Sequence, residues 1–346
     1  MTDHSLPLRL PAEWEPQSAV IIAWPHAGTD WAERLAAVET TYVALADAVT
    51  RFQPLLVVVA NEALQAHVET TLRAAHVDMQ RVRFVQLPYD DTWLRDSGPL
   101  TLCAADGRCQ LMDFHFTGWG GKFDAAQDDA LIAGLVRTGV FGHPQHQRVD
   151  WALEGGAIES DGAGTLLTTW QCLSQRHPGQ SRLEMSTMLT RSLHANRVLW
   201  LDHGYLQGDD TDAHIDTLAR FAPGDRIVYQ ACDDAADPHY AELQRMAAEL
   251  AALRTTDSLP YQLQPLPWPQ PILDSGRRLA ASYANYLIIN NAVLVPAYGD
   301  VVDAEAARRI GSAYPGREIL SIPCRPLIWQ NGSLHCLTMQ MPASAM

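Results

Sequence analysis

Asn331-Gly332-Ser333-Leu334-His335-Cys336-Leu337-Thr338 is a small polar turn that carries a cysteine. It is the last of a series. Working back along the chain come Ala281-Ser282-Tyr283-Ala284-Asn285-Tyr286, Gly208-Asp209-Asp210-Thr211-Asp212-Ala213-His214-Ile215-Asp216, Glu154-Gly155-Gly156 and Trp93-Leu94-Arg95-Asp96-Ser97-Gly98-Pro99. Between Asp96, Glu154, His214, Ser282 and Cys336 the intervals are 58, 60, 68 and 54 residues. About five diverged modules of roughly 60–70 residues around a common axis would produce such returns. A single active site at that axis could then collect one group from most of the modules.

The segments between these motifs carry the periodicities of such modules. Apolar residues recur at three- and four-residue steps over 33–51 (Leu35, Val38, Tyr42, Leu45, Val49), 125–138, 182–195, 239–254 and 303–313. Each predicts a helix with one buried face. Short β-like runs lie among them at 19–23, 55–59, 82–87, 165–169, 198–201, 227–229, 286–289 and 293–295. Strand and helix alternate, which is the pattern of an α/β protein. The five prolines between Pro260 and Pro271 predict an extended loop rather than a domain boundary. No low-complexity tract or linker divides the chain, so residues 1–346 are expected to form one catalytic domain.

Composition narrows the function. The chain has 346 residues, 47% hydrophobic and 19% charged, as in a soluble globular protein able to bury a large core. No apolar run is long enough for a signal peptide or a membrane span, so the expected location is the cytoplasm and no membrane partner is expected. The formal net charge of −15 argues against nucleic acid, which needs basic patches. It suits a cationic small molecule. Six cysteines, at 103, 109, 172, 232, 324 and 336, form no CxxC pair and fit neither a zinc ribbon nor a disulfide scaffold. Five read as small buried hydrophobes. Cys336 differs because Gly332 and its neighbours supply an open backbone beside it, as a cysteine nucleophile requires.

His214 and Asp216 are two apart, so an extended segment would put both on one face. His335, next to the thiol, would then face the opposite side. A histidine within reach of a thiol can hold a thiolate, protonate a leaving group and activate water. Four aspartates within Asp209–Asp216 are costly near a core unless they neutralise something positive. A metal is one choice, with Asp209, Asp210, Asp212, His214 and Asp216 as ligands and His143 and His146 as a further pair. Neither an HExxH nor an EF-hand pattern is present, and a metal leaves Cys336 unexplained. A guanidinium is the other choice. It is planar, stays charged and offers N–H donors that match carboxylates in pairs. Asp96 and Asp216 on either side would fix its plane and leave the carbon open to sulfur, with Glu154 orienting His214. No cofactor is required.

These motifs, with Phe116-Thr117-Gly118-Trp119-Gly120-Gly121-Lys122, resemble the agmatine deiminases of the guanidino-group-modifying (pentein) superfamily, which also holds bacterial peptidyl-arginine deiminases. The resemblance runs from about Leu10 to Pro342 with six motifs in order. It implies a five-bladed α/β propeller of ββαβ modules, an expected homodimer and no metal. It also implies Cys336 as nucleophile, His214 as acid and base, Asp96 and Asp216 as guanidinium clamps and Glu154 as the histidine's partner. Trp93 and Trp119 would cover the substrate's methylene chain, Asp210 would meet a distal amine, and Gly332 would border the substrate. The implied reaction is hydrolysis of agmatine to N-carbamoylputrescine and ammonia through an S-alkylthiouronium on Cys336. Arginine or peptidyl-arginine as substrate, a metal-dependent hydrolase, and an inactive polyamine- or guanidine-binding protein are the alternatives. The chain departs from the family pattern at Ala213, Thr117, Gln175-Arg176-His177-Pro178 and Ser333, all outside the reacting groups.

Overall fold

A computed structural model describes residues 6–142 and 144–346. Its five main sheets each contain the same unit, an antiparallel pair followed by a helical crossover to a parallel third strand. The units in chain order are Leu100–Cys103, Cys109–His115 and Gln145–Ala152; Ile158–Ser160, Thr165–Thr169 and Arg197–Leu201; Ala219–Ala222, Arg226–Gln230 and Gln262–Leu266; and Leu287–Ile289, Ala292–Ala297 and Glu318–Pro323. The fifth is assembled from both ends of the chain. Thr338–Pro342 lies antiparallel to Gln17–Ala23, with Ile22 opposite Thr338, and Gln17–Ala23 lies parallel to Leu55–Val59. The architecture is the expected five-bladed α/β propeller.

Burial explains why these runs are strands. Leu55–Val59 is Leu-Leu-Val-Val-Val and wholly buried, as a parallel strand covered on both faces must be. Its alternate side chains serve different cores. Leu55, Val57 and Val59 pack with Tyr42, Leu45 and Val49 of the Leu35–Thr50 helix, while Leu56 and Val58 pack with Leu111, Leu131 and Leu135 of the next module. Polar groups mark several helix starts. Ser181 and Glu184 form a reciprocal capping box at Arg182–Ser192, and Thr169 caps Trp170–Arg176.

All five expected helices are present, Asp303–Ala313 at its expected bounds and the other four with trimmed ends. The 125–138 segment divides into Ala126–Asp129 and Leu131–Thr138, and the 182–195 helix stops at Ser192, before His194 turns to φ +51°. The short helix Trp170–Arg176 escaped the periodicity reading, as did the longer Glu62–Ala74, which buries only Val68 and Leu72. Glu62–Ala74 leads to Val82–Gln86, an extra parallel strand on the fifth sheet, beside Leu55–Val59. The proline-rich stretch is not wholly loop, since Gln262–Leu266 pairs with Arg226–Gln230. Pro265 is tolerated there because the strand is at a sheet edge. Among the described residues no helix is long and apolar enough to cross a membrane.

Candidate active site

The five polar motifs occupy equivalent places, each just ahead of the first strand of a module. Asp96 lies in the single helical turn Leu94–Ser97 that precedes Leu100. Glu154 precedes the 3-10 turn Gly155–Ala157 and Ile158, and Asp216 lies in the 3-10 turn Ile215–Thr217 before Ala219. Asn285 and Cys336 precede Leu287 and Thr338. The segments around His214 and Cys336 are turns and not the extended chain expected of them, so the alternation argument does not apply to either pair. They converge because the modules share an axis.

All five side chains are buried, and contacts join them. Asp96 Oδ1 accepts the Gly156 N–H at 3.0 Å and lies 3.6 Å from His214 Nδ1. Its Oδ2 accepts the Trp119 indole N–H at 2.9 Å. A Cβ on Gly156 would come within 2.7 Å of both Asp96 Oδ1 and His214 Nδ1, so only glycine lets the backbone donor approach the pair. His214 Nε2 is 3.8 Å from Glu154 Oε2, while Glu154 Oε1 accepts the Arg176 Nε–H at 2.6 Å. Cys336 Sγ lies 3.6 Å from Asp216 Oδ2 and 3.2 Å from Asn285 Nδ2. The His214 nitrogens, Glu154 Oε2 and Asp216 Oδ1 are buried without a hydrogen-bond partner within the protein. Buried polar atoms left unpaired within a protein call for a partner from outside it.

Charge follows from this packing. Burial, then Asp216 and Asp96, pushes the Cys336 thiol well above its ordinary range. Burial raises Asp96 to about 6, partly offset by His214. For His214 burial opposes the charged form, but Asp96, the Cys172 sulfur and Glu154 outweigh it and hold the imidazole well above the usual histidine range. Glu154 and Asp216 stay below the usual carboxylate range despite burial, through His214 and Arg176 for the former and His335 for the latter. The site thus combines a protonated thiol, an imidazolium and anionic carboxylates.

A cleft opens from this cluster to the surface. Cys336 and Asp96 line its buried end, Trp93, Trp119 and Gly332 its walls, and Asp30, Asp91 and Asp210 its better-exposed part. None of its lining residues among the described ones is Lys or Arg. Gly332 packs flush against Trp93, since a Cβ there would meet the indole at 2.3 Å. Asp210 accepts from Asn331 Nδ2 at 2.7 Å, which ties the two sides of the cleft together.

The Asp209–Asp216 segment does not gather its carboxylates around one ion. Asp209 binds its own loop at Thr211 and Ala213, Asp212 pairs with Arg176 and Lys122 at 2.6 and 2.7 Å, and Asp216 accepts from His335 at 2.8 Å. His146 is engaged by Asp113 at 2.7 Å, and His143 lies outside the described residues. Among the described residues the group with metal-ligand spacing is a different one, Glu154, Cys172 and His214. Three residues matter more than the sequence suggested. Asn285 touches the thiol and, through Oδ1, the His335 N–H. Arg176 fixes both Glu154 and Asp212. His335 bridges Asp216 to Glu13, whose carboxylate also pairs with the buried Arg220. Arg95 is held beneath the site by Gln340 at 2.7 Å and near Glu13 at 3.8 Å, which makes it structural.

The family model for Porphyromonas-type peptidyl-arginine deiminases matches residues 9–342. An agmatine deiminase of Stutzerimonas stutzeri is 33% identical over 96% of this chain and 95% of its own. The chain superposes on a substrate-bound cysteine-to-serine variant of the C. jejuni agmatine deiminase with a TM-score of 0.89, at 32% identity over 99% of this chain and 98% of that one. A Porphyromonas gingivalis structure with a provisional arginine-deiminase assignment gives a TM-score of 0.90 at 45% identity, covering 97% and 98% of the two chains.

Proposed function

The chain belongs to the Porphyromonas-type peptidyl-arginine deiminase family, and on that premise we propose that it hydrolyses agmatine to N-carbamoylputrescine and ammonia. The observation that carries this choice of substrate is the cleft. Asp96 lies at its buried end and Asp30, Asp91 and Asp210 lie further out, with no basic side chain among the lining residues described. Agmatine is cationic at both ends. Arginine would place its own carboxylate among these acids, with nothing there to pair it. The arginine reading has its support in the likeness to the P. gingivalis protein.

In the proposed reaction the guanidinium lies between Asp96 and Asp216, with its carbon facing Cys336. Its charge offsets the two carboxylates that suppress ionisation of Cys336, so the thiol releases its proton to water as substrate enters. The thiolate adds to the guanidinium carbon. His214, as imidazolium, protonates the departing nitrogen, ammonia leaves, and a cationic S-alkylthiouronium remains between the carboxylates. Neutral His214 then takes a proton from water as that water adds to the same carbon. Collapse expels the thiolate and leaves the ureido product. Glu154 would steady His214 in both steps, and Trp93 and Trp119 would flank the methylene chain.

The test is release of ammonia and ureido product from EDTA-treated protein given agmatine, arginine or a blocked arginyl peptide. Turnover of agmatine in preference to the other two is expected. A clear preference for arginine would overturn the substrate, and activity that appears only on adding metal would overturn the mechanism.

A further inference from the structure

Cys103 and Cys109 sit directly opposite each other across the antiparallel pair Leu100–Cys103 and Cys109–His115. The hydrogen bonds around them define the kind of pairing. The Ala104 N–H donates to the Arg108 carbonyl at 2.9 Å, just beyond the cysteine pair, while the Cys103 N–H and carbonyl both bond Arg9 on the other side, at 2.8 and 3.0 Å. The two cysteines are therefore a non-hydrogen-bonded pair, the position where side chains come closest and Cα atoms lie about 4.5 Å apart. That separation falls within the range a disulfide can bridge, about 4.4–6.8 Å.

Access and surroundings also favour chemistry at this pair. Cys103 is only partly buried, unlike the buried hydrophobe its sequence suggested, and lines a surface hollow with Arg9, Glu15 and Ser344. Cys109 lies beneath it against Leu111, Met341 and Ala345. Both thiols are free. Neither touches the substrate cleft, so the deimination chemistry leaves them without a role.

We propose that Cys103 and Cys109 form a cross-strand dithiol that reacts with hydroperoxides and closes to a reversible disulfide. One sulfur attacks the peroxide and displaces water, giving a sulfenic acid; the sulfur opposite then displaces a second water and forms the S–S bond. Two thiols lose two electrons and two protons, and one hydrogen peroxide becomes two waters. The partly exposed Cys103 gives a peroxide access to the pair, and the thiol opposite it is placed to resolve the sulfenic acid. The same Arg9 segment that bonds Cys103 runs on to Glu13, the partner of His335. The dithiol thus sits on backbone continuous with the support of the active site.

The chain supplies its own diagnostic, because trypsin cuts after Arg108, between the two cysteines. Reduced protein would be treated with excess hydrogen peroxide, quenched with an alkylating reagent in denaturant and digested. Peptides 96–108 and 109–122 are expected as one linked species that dithiothreitol resolves, with the link absent in Cys109→Ser. Recovery of the two peptides unlinked, with both sulfurs alkylated or with either over-oxidised, would overturn the proposal. The readout does not depend on turnover, so failure here and failure with agmatine are separate results.

Discussion

Replacing Asp216 by asparagine should move two reactivities of Cys336 in opposite directions. The sulfur is 3.6 Å from Asp216 Oδ2, and that carboxylate is the largest cause after burial of the thiol's reluctance to ionise. A unit-charge pair at this distance is worth about 4–5 kcal/mol at an effective dielectric near 20. Removing the charge relieves the thiolate of that penalty. A more acidic thiol is also a poorer nucleophile and returns roughly half of the gain. Capture of Cys336 by a small neutral thiol reagent, methyl methanethiosulfonate, should therefore accelerate by on the order of 10–100-fold at neutral pH. Turnover should fall, because a charge-assisted hydrogen bond to the guanidinium contributes about 1.5–3 kcal/mol, or roughly ten- to a hundredfold in kcat/KM. Asparagine keeps an oxygen to accept from His335, so the variant should fold, which circular dichroism and a melting curve would check. A folded variant whose thiol reacts no faster than the parent's would refute the electrostatic account of Cys336. Retained agmatine turnover would refute the clamp.

Four further outcomes follow from the same geometry. Cys336→Ser should still bind agmatine by calorimetry but show no turnover, and near-normal turnover would remove the covalent intermediate. With Asp96 raised to about 6, the acid limb of kcat/KM should fall as pH drops through about 6, because a neutral Asp96 no longer attracts the guanidinium; a limb near 4 would contradict that assignment. Asp91 and Asp128 are pushed by burial to about 7, so the folded chain holds protons there that the unfolded chain releases near 4. Their contribution to stability falls as pH rises from about 4 to 7, and Asp128→Asn should narrow the melting difference between pH 5 and pH 8; an unchanged difference would refute it. Arg176→Met leaves Glu154 buried without its 2.6 Å partner and should cost about 3–5 kcal/mol by urea denaturation, whereas a loss below about 1 kcal/mol would show the pair to be dispensable.

The local features of the fold were legible because they are written locally. Val38, Tyr42, Leu45 and Val49 recur at helical steps because one face of Leu35–Thr50 is buried, and Leu55–Val59 is apolar throughout because both of its faces are. Cys336, His214 and the three carboxylates stood out because each is a polar group in a motif ahead of apolar chain, a costly placement without a partner. The hairpin Leu100–Cys103 and Cys109–His115 was missed, since Gln110 and Asp113 interrupt its apolar pattern, although Asp106-Gly107 marks its turn. Asn285 left a fainter signal. A Ser-x-x-Asn pair inside a buried run must find hydrogen bonds, and it finds them at the Thr217 carbonyl and the Cys336 thiol.

What the sequence could not disclose were the partners that meet only when the ring closes. Thr338–Pro342 has no hairpin partner nearby and completes its module on Gln17–Ala23, at the other end of the chain. That pairing sets the position of Cys336. It also brings Glu13 against His335, so the ion pair with Arg220 and the hydrogen bond to Asp216 form one buried chain from the N-terminal segment to the proposed guanidinium clamp. Removing one member would leave a buried charge exposed to its neighbours' repulsion or to desolvation. Cys336 and Asp216, the proposed nucleophile and clamp, are therefore assembled by long-range closure, and an acidic residue as distant in sequence as Glu13 has a structural stake in that end of the molecule.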